Sequence, residues 1–259
     1  MVSLLEFHPQ LGFDSKLLAN TTLLLPSCNS IGNIGQLSLD LLISSLNAQL
    51  VGHLESPFVL PVVGSNAFSD KGIHPLTTSF EVFQSPQTPT ITLLQIRGTI
   101  IPNRSQLFAS SIHAWAESIQ VARVIIVSGA DATARIDSQI SRPVITFYTP
   151  LSNTSTINSV YGKEMDVMQW TKLEELTETN SGGVGLVKFL VKTFEKQDAG
   201  GIPLLCLLWY TVEGDNIPDS QYVVSGLNQL LKLSISDYKM PPSWKGLFGN
   251  APPSSSIFL

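Results

Sequence analysis

Residues 21–54 read TTLLLPSCNSIGNIGQLSLDLLISSLNAQLVGHL, and this stretch decides the fold. Residues 21–25 are β-branched or apolar, and Pro26 stops the run. Leu39, Leu42, Ile43 and Leu46 then fall one turn apart, which predicts a helix with one buried face. Residues 50–54 form the next apolar run. Strand, helix, strand is a βαβ unit, the seed of a parallel sheet covered by helices. Strands buried on both faces read as continuous apolar runs, as residues 23–25 do.

The loop inside this unit, Ser30-Ile-Gly-Asn-Ile-Gly-Gln36, invites a phosphate reading, because a glycine turn that opens a helix presents free N–H groups. The match is poor. A P-loop needs Gly-Lys-Ser/Thr, and here Gly35 is followed by Gln36 and Leu37. A dinucleotide loop needs three glycines, and only Gly32 and Gly35 are present. No lysine or arginine lies between Lys16 and Lys71. Gly32 and Gly35 therefore read first as structural residues that allow a tight turn and close helix–sheet packing.

The chain has 259 residues, near the upper size of one domain. It is 43% hydrophobic and 14% charged, against about 25% charged in average proteins. Such a chain can bury a large core and still leave apolar surface for a partner. Its net charge of -5 argues against nucleic acid or an anionic membrane as main partner. No apolar run reaches the length of about 18 residues that a membrane helix needs. The start, MVSLLEFHPQ, lacks the pattern of a signal peptide. Cys28 and Cys206 lie beside apolar runs with no clustered ligands, so each reads as a buried thiol in a reducing compartment.

Working outward, residues 1–20 read as an N-terminal extension. Residues 79–83 and 90–97 read as a hairpin around Ser85-Pro-Gln-Thr-Pro89. Phe108, Ile112, Trp115 and Ile119 predict a helix over 105–119. Strands are expected at 122–128, 144–148 and 203–212. Residues 149–160, rich in Ser, Thr and Asn, read as a surface loop, and 164–177 as an exposed polar helix. Helices follow with Val187, Leu190, Val191 and Phe194 inward, and over 219–233 with Val223, Leu227, Leu230 and Leu231 inward. The pattern is one α/β domain over 1–249, with a tail at 250–259.

Catalytic chemistry is hard to find. There is no G-x-S-x-G elbow and no metal-ligand spacing, and His8, His53, His74 and His113 stand singly with no acid partner read beside them. One acidic cluster, Glu213-Gly-Asp215-Asn-Ile-Pro-Asp219, sits where a strand hands over to the last helix. Glu213 and Asp215 read either as a carboxylate pair at a strand end or, with Asp219, as helix caps and dipole partners. Neither cofactor nor metal is expected.

Three groups of residues together resemble the 20S proteasome assembly chaperone family. The first is LLLPSCNSIGNIGQLSLDLLISSLNA at 23–48 with Val51-Gly-His-Leu54. The second is Val62-Val-Gly-Ser-Asn66 with residues 122–128. The third is VEGDNIPD at 212–219 with PPSWKGLFG at 241–249. The matches span nearly the whole chain in order, and 149–201 matches poorly. The resemblance implies a three-layer α/β sandwich with a largely parallel or mixed sheet, similar to nucleoside-phosphorylase-like enzymes but without catalysis. It implies a heterodimer with proteasome assembly chaperone 1 that binds the 20S α subunits, promotes α-ring assembly and prevents off-pathway α-ring dimers. A cytoplasmic and nuclear setting is expected.

Family tails dock between α subunits through a hydrophobic residue, Tyr and any residue. Here a polar tether, Asn250-Ala-Pro-Pro-Ser-Ser-Ser256, leads to Ile257, Phe258 and Leu259, so Phe258 keeps the ring and loses the hydroxyl. The competing reading is a nucleoside-phosphorylase-like or hydrolase enzyme that uses the Gly32–Gly35 loop and Asp215.

Overall fold

The computed structural model describes residues 5–28, 30–69, 76–135, 137–140, 144–176, 185–195 and 201–247. In chain order the elements begin with β1 (Glu6–Pro9), β2 (Thr22–Pro26), α1 (Ile34–Ser45) and β3 (Gln49–Glu55). The short strands β4 (Val63–Gly64) and β5 (Thr77–Thr78) follow, then β6 (Phe80–Ser85), β7 (Thr88–Ile96), α2 (Ser105–Ser118) and β8 (Arg123–Asp131). After them come α3 (Asp137–Ile140), β9 (Thr146–Tyr148), α4 (Thr154–Val167), β10 (Thr171–Lys172), α5 (Gly185–Glu195), β11 (Leu204–Thr211) and α6 (Ile217–Leu231).

Nine strands form one mixed sheet in the order β1-β3-β6-β7-β2-β8-β11-β9-β10. Its centre, β7-β2-β8-β11, is parallel. Successive side chains of a strand point to opposite faces, and here each face meets its own helices. Leu23 and Leu25 of β2, Val124 and Ile126 of β8, and Leu204, Cys206 and Leu208 of β11 pack with α2 and α5. Leu24, Ile125, Leu205, Leu207 and Trp209 pack with α1, α4 and α6. This is the expected three-layer α/β sandwich, and double coverage explains why its central strands read as unbroken apolar runs.

The opening unit differs from the expectation in one respect. β2 and β3 run the same way, but the β6–β7 hairpin lies between them. A crossover helix sets direction and hand, and it leaves room for strands inserted later in the chain.

Three further stretches depart from their sequence reading. Residues 149–160 are not a surface loop. Thr154 starts α4, which buries Ile157, Tyr161 and Met165 at four-residue spacing. Ser, Thr and Asn there belong to a helix start, where they are favoured over the helix interior. The expected polar helix over 164–177 instead stops at Val167, where Gln169 takes a φ of 53°, and the chain enters β10. Within 1–20, residues 6–9 join the sheet as an edge strand antiparallel to β3. Their mostly exposed EFHP sequence lacks the apolar alternation that would announce a strand.

Candidate functional site

The loop between β2 and α1 lies at the C-terminal ends of the parallel strands, where open α/β sheets place their sites. Ile31–Asn33 form one 3-10 turn, with Gly32 at φ 63° and Asn33 at φ 53°. A Cβ on Gly32 would collide with the Asn216 amide and lie 2.9 Å from Thr211 Cγ2. A Cβ on Gly35 would lie 2.5 Å from the Val127 carbonyl oxygen and 2.8 Å from Pro26 Cβ. The first glycine permits the turn, and the second lets α1 press onto β2 and β8.

The acidic cluster after β11 closes over this loop. The Gly32 N–H donates to Glu213 Oε1 at 3.2 Å. Asn216 is buried, and its Nδ2 donates to the carbonyls of Val212 and Gly214 at 3.0 and 3.1 Å. Thr211 Oγ1 lies 2.6 Å from Asn216 Oδ1 and 2.7 Å from Asp219 Oδ2. Asp215, exposed, accepts from the Ile217 N–H at 3.1 Å. The Gly32–Glu213 contact holds the start of α1, and beside it Thr211, Asn216 and Asp219 form a hydrogen-bonded group at the start of α6. A carboxylate of the protein itself takes the Gly32 N–H that a phosphate would use, and Asp215 is spent at the first turn of α6.

Two histidines read as single meet across the sheet edge. His8 and His53 are register partners on β1 and β3. His53 Nδ1 lies 3.0 Å from Thr78 Oγ1, its Nε2 lies 3.2 Å from Gln10 Nε2, and His8 Nε2 lies 3.4 Å from Glu55 Oε2. They line an open cavity of about 410 Å³ beside Phe80 and Val59. Burial and then the neighbouring His8 push His53 below its ordinary pKa. Among the described residues no group of three or more His, Cys, Asp or Glu could hold a metal ion. His113 also has an acid beside it: its Nδ1 lies 3.3 Å from Glu117 Oε2. That four-residue spacing was visible in the sequence, whereas the His8–Glu55 contact depends on strand register.

The sequence reading missed an ion pair between buried Asp40 and half-buried Arg97. Asp40 of α1 accepts from Arg97 Nη1 at 3.0 Å and Nη2 at 2.6 Å, and from Gln95 Nε2 at 2.6 Å. A lone aspartate inside the apolar LSLDLLIS run was its signal. Cys28 and Cys206 are free and buried, and burial pushes both thiols up to about 12. Among the described residues no helix is long and apolar enough to cross a membrane. Ile257, Phe258 and Leu259 lie outside the described residues.

Comparison with known proteins follows the same outline. The model of the PAC2 family matches residues 24–242. A Mus musculus protein named Proteasome assembly chaperone 2 is 31% identical over 256 residues, covering 91% of this chain and 94% of the relative. The Homo sapiens protein of that name is 31% identical over 254 residues, covering 91% and 94%. Among solved structures, Pyrococcus furiosus PbaA, an archaeal homolog of proteasome-assembly chaperone, superposes with a TM-score of 0.61. It has 17% identity and covers 90% of this chain and 88% of its own. PbaB of the same organism, an archaeal proteasome activator, gives 0.58 at 15% identity, covering 91% and 92%. The match over most of its length places this chain in the PAC2 family.

Proposed function

We propose that this chain is a non-enzymatic assembly chaperone of the 20S proteasome, working as a heterodimer with proteasome assembly chaperone 1. In this reading the heterodimer binds α subunits, promotes α-ring assembly and prevents off-pathway α-ring dimers, in the cytoplasm and nucleus. The observation that carries it is homology along nearly the whole chain to proteins named for the role. The geometry supports the absence of catalysis, because the Gly32 loop is closed by Glu213 and Asp215 is engaged at a helix start. The low charge and exposed aliphatic residues suit a protein that meets partners over broad surfaces.

Affinity purification of the tagged full-length chain, beside a chain lacking residues 257–259, tests the reading. Both should retain a second chaperone in equal amount. The full chain should also carry α subunits, and the truncated chain fewer. A full-length chain that brings down neither α subunits nor a second chaperone would overturn it.

A further inference from the structure

The edge strand β1 is held in the sheet by β3 alone, over four residue pairs. In that register His8 stands directly opposite His53, so both imidazoles leave the same face of the sheet. The Gln10 N–H donates to the Val51 carbonyl at 2.8 Å, and antiparallel alternation then makes His8 and His53 a pair that exchanges backbone hydrogen bonds. Leu5 and Phe7 anchor the other face of the strand. Leu5 is buried, and the Phe7 ring lies 6.1 Å from that of Trp115, over Gly52, where a Cβ would collide with it. Beyond Gln10 the chain turns through exposed Leu11 and Gly12, whose φ is 85°, before Leu18 is buried again.

The hydrogen bonds around His53 suit its neutral form. Thr78 gives its backbone N–H to Glu81 Oε1 at 2.8 Å and its hydroxyl to the same oxygen at 3.4 Å. The hydroxyl oxygen, 3.0 Å from His53 Nδ1, therefore accepts from the Nδ1–H. That leaves Nε2, 3.2 Å from Gln10 Nε2, to accept from the Gln10 amide. A second proton on His53 would set N–H against N–H at Gln10 and place a cation opposite His8. The nearby carboxylates offset this poorly. Glu55 lies 3.4 Å from His8 Nε2 but is exposed, as is Glu6 on β1, so water screens both. Buried Glu81 is engaged by Thr78 and attracted by Arg97, which itself grips Asp40. The β5 pair, Thr77–Thr78, adds no charge.

We propose that β1 is a proton-released cover strand: when His8 and His53 are both protonated, β1 lifts off β3 and bares the sheet edge along Val51, His53 and Glu55. Above the histidine range the pair is neutral and the strand is closed. In the closed strand, burial and then His8 hold His53 below its ordinary value, whereas in the lifted strand it titrates near about 6.5. The lifted form binds the proton more readily, so closure is fully stable above that range and weakens as pH falls through it. The bared edge of β3 offers free N–H and C=O groups to an added strand.

Hydrogen exchange of the full-length chain tests this, measured by mass spectrometry at about pH 7.5 and about pH 5.5 and corrected for the intrinsic pH dependence of exchange. Protection of peptides covering residues 5–10 and 50–55 should fall at the lower pH. The fall should exceed any fall in peptides of β8 and β11 by about fivefold or more, the scale of like charges directly opposed in a sheet. In His53→Gln, which keeps an amide toward Thr78 and Gln10 but takes no proton, this excess should vanish. If that variant's melting curve at pH 7.5 moves, His8→Gln, at an exposed position, replaces it and should at least halve the excess. Equal falls in all peptides would overturn the proposal, as would an excess that persists in the variant. So would β1 protection that rises at the lower pH, the result of a dominant His8–Glu55 attraction. The measurement needs no partner, so its outcome is separate from the proposed function.

Discussion

Gly32 donates its backbone N–H to the Glu213 carboxylate at 3.2 Å, joining two loops 181 residues apart in sequence. The contact closes a glycine turn that, at the start of α1, resembles a phosphate cradle. It also joins two of the stretches that carry the family resemblance, the glycine loop and the VEGDNIPD segment. Their shared role in this structure is to hold the starts of α1 and α6 against the strand ends.

The Gly35→Ala variant should be less stable by about 1–3 kcal/mol, because the added methyl meets the Val127 carbonyl and Pro26. Gly32→Val should cost at least as much, since its positive φ strains any β-branched residue. Urea midpoints at constant m-value measure both. Calorimetry with nucleotides should show no saturable binding in the native chain, and binding that Gly35→Ala removes would revive the phosphate reading.

Asp215 accepts from the Ile217 N–H, a job that Asn performs about as well. Asp215→Asn should therefore leave stability and partner binding nearly unchanged, while Asp215→Ala should cost about 0.5–2 kcal/mol. Thermal melts and co-purification check the two variants side by side. A hydrolytic or phosphorolytic turnover abolished by Asp215→Asn would assign the residue to catalysis instead.

Asp40 and Arg97 tie α1 to the end of β7 through two hydrogen bonds. Asp40 is buried and Arg97 partly exposed, so Asp40→Leu, which strips Arg97 and Gln95 of their shared acceptor, should destabilise by about 1–3 kcal/mol. Adding Arg97→Met to Asp40→Leu should recover part of that loss, because an apolar pair of similar volume can replace a buried ion pair. A double-mutant cycle in urea measures the coupling, and additive losses would mean that the two residues act independently.

Much of this architecture was legible in the sequence, for a physical reason. β2, β8 and β11 are covered on both faces, so their apolar runs are unbroken, and α2, α5 and α6 carry one buried stripe each. The strand order was not legible. Nothing in residues 79–97 states that their hairpin inserts between β2 and β3, because pairing is decided by long-range packing. α4 was hidden by its polar composition, and β1 and β10 by their shortness and exposure. The glycine loop and the acidic cluster were both singled out, but their mutual contact depends on strand ends meeting in space.

His113 is buried against Phe194, with ring centroids 4.7 Å apart, and faces Glu117. Burial pushes its pKa below the ordinary value, and Glu117 only partly offsets that shift. The unfolded chain then binds the proton more readily than the fold does. Stability should be full above the ordinary histidine range, near about 6.5, and should fall as pH drops through it. His53, also shifted down, adds to the same slope. In urea titrations from pH 7.5 to 5.5, His113→Leu should flatten the fall. A slope unchanged by that substitution would place the effect elsewhere.

The claim that this chain guards α-ring assembly is tested most directly by removing it from cells and resolving α-subunit complexes on native gels. The account predicts fewer complete 20S particles and a rise in α-ring dimers, reversed by the native chain and by the Asp215→Asn variant alike. Unchanged 20S levels with no accumulation of α-ring dimers would contradict it.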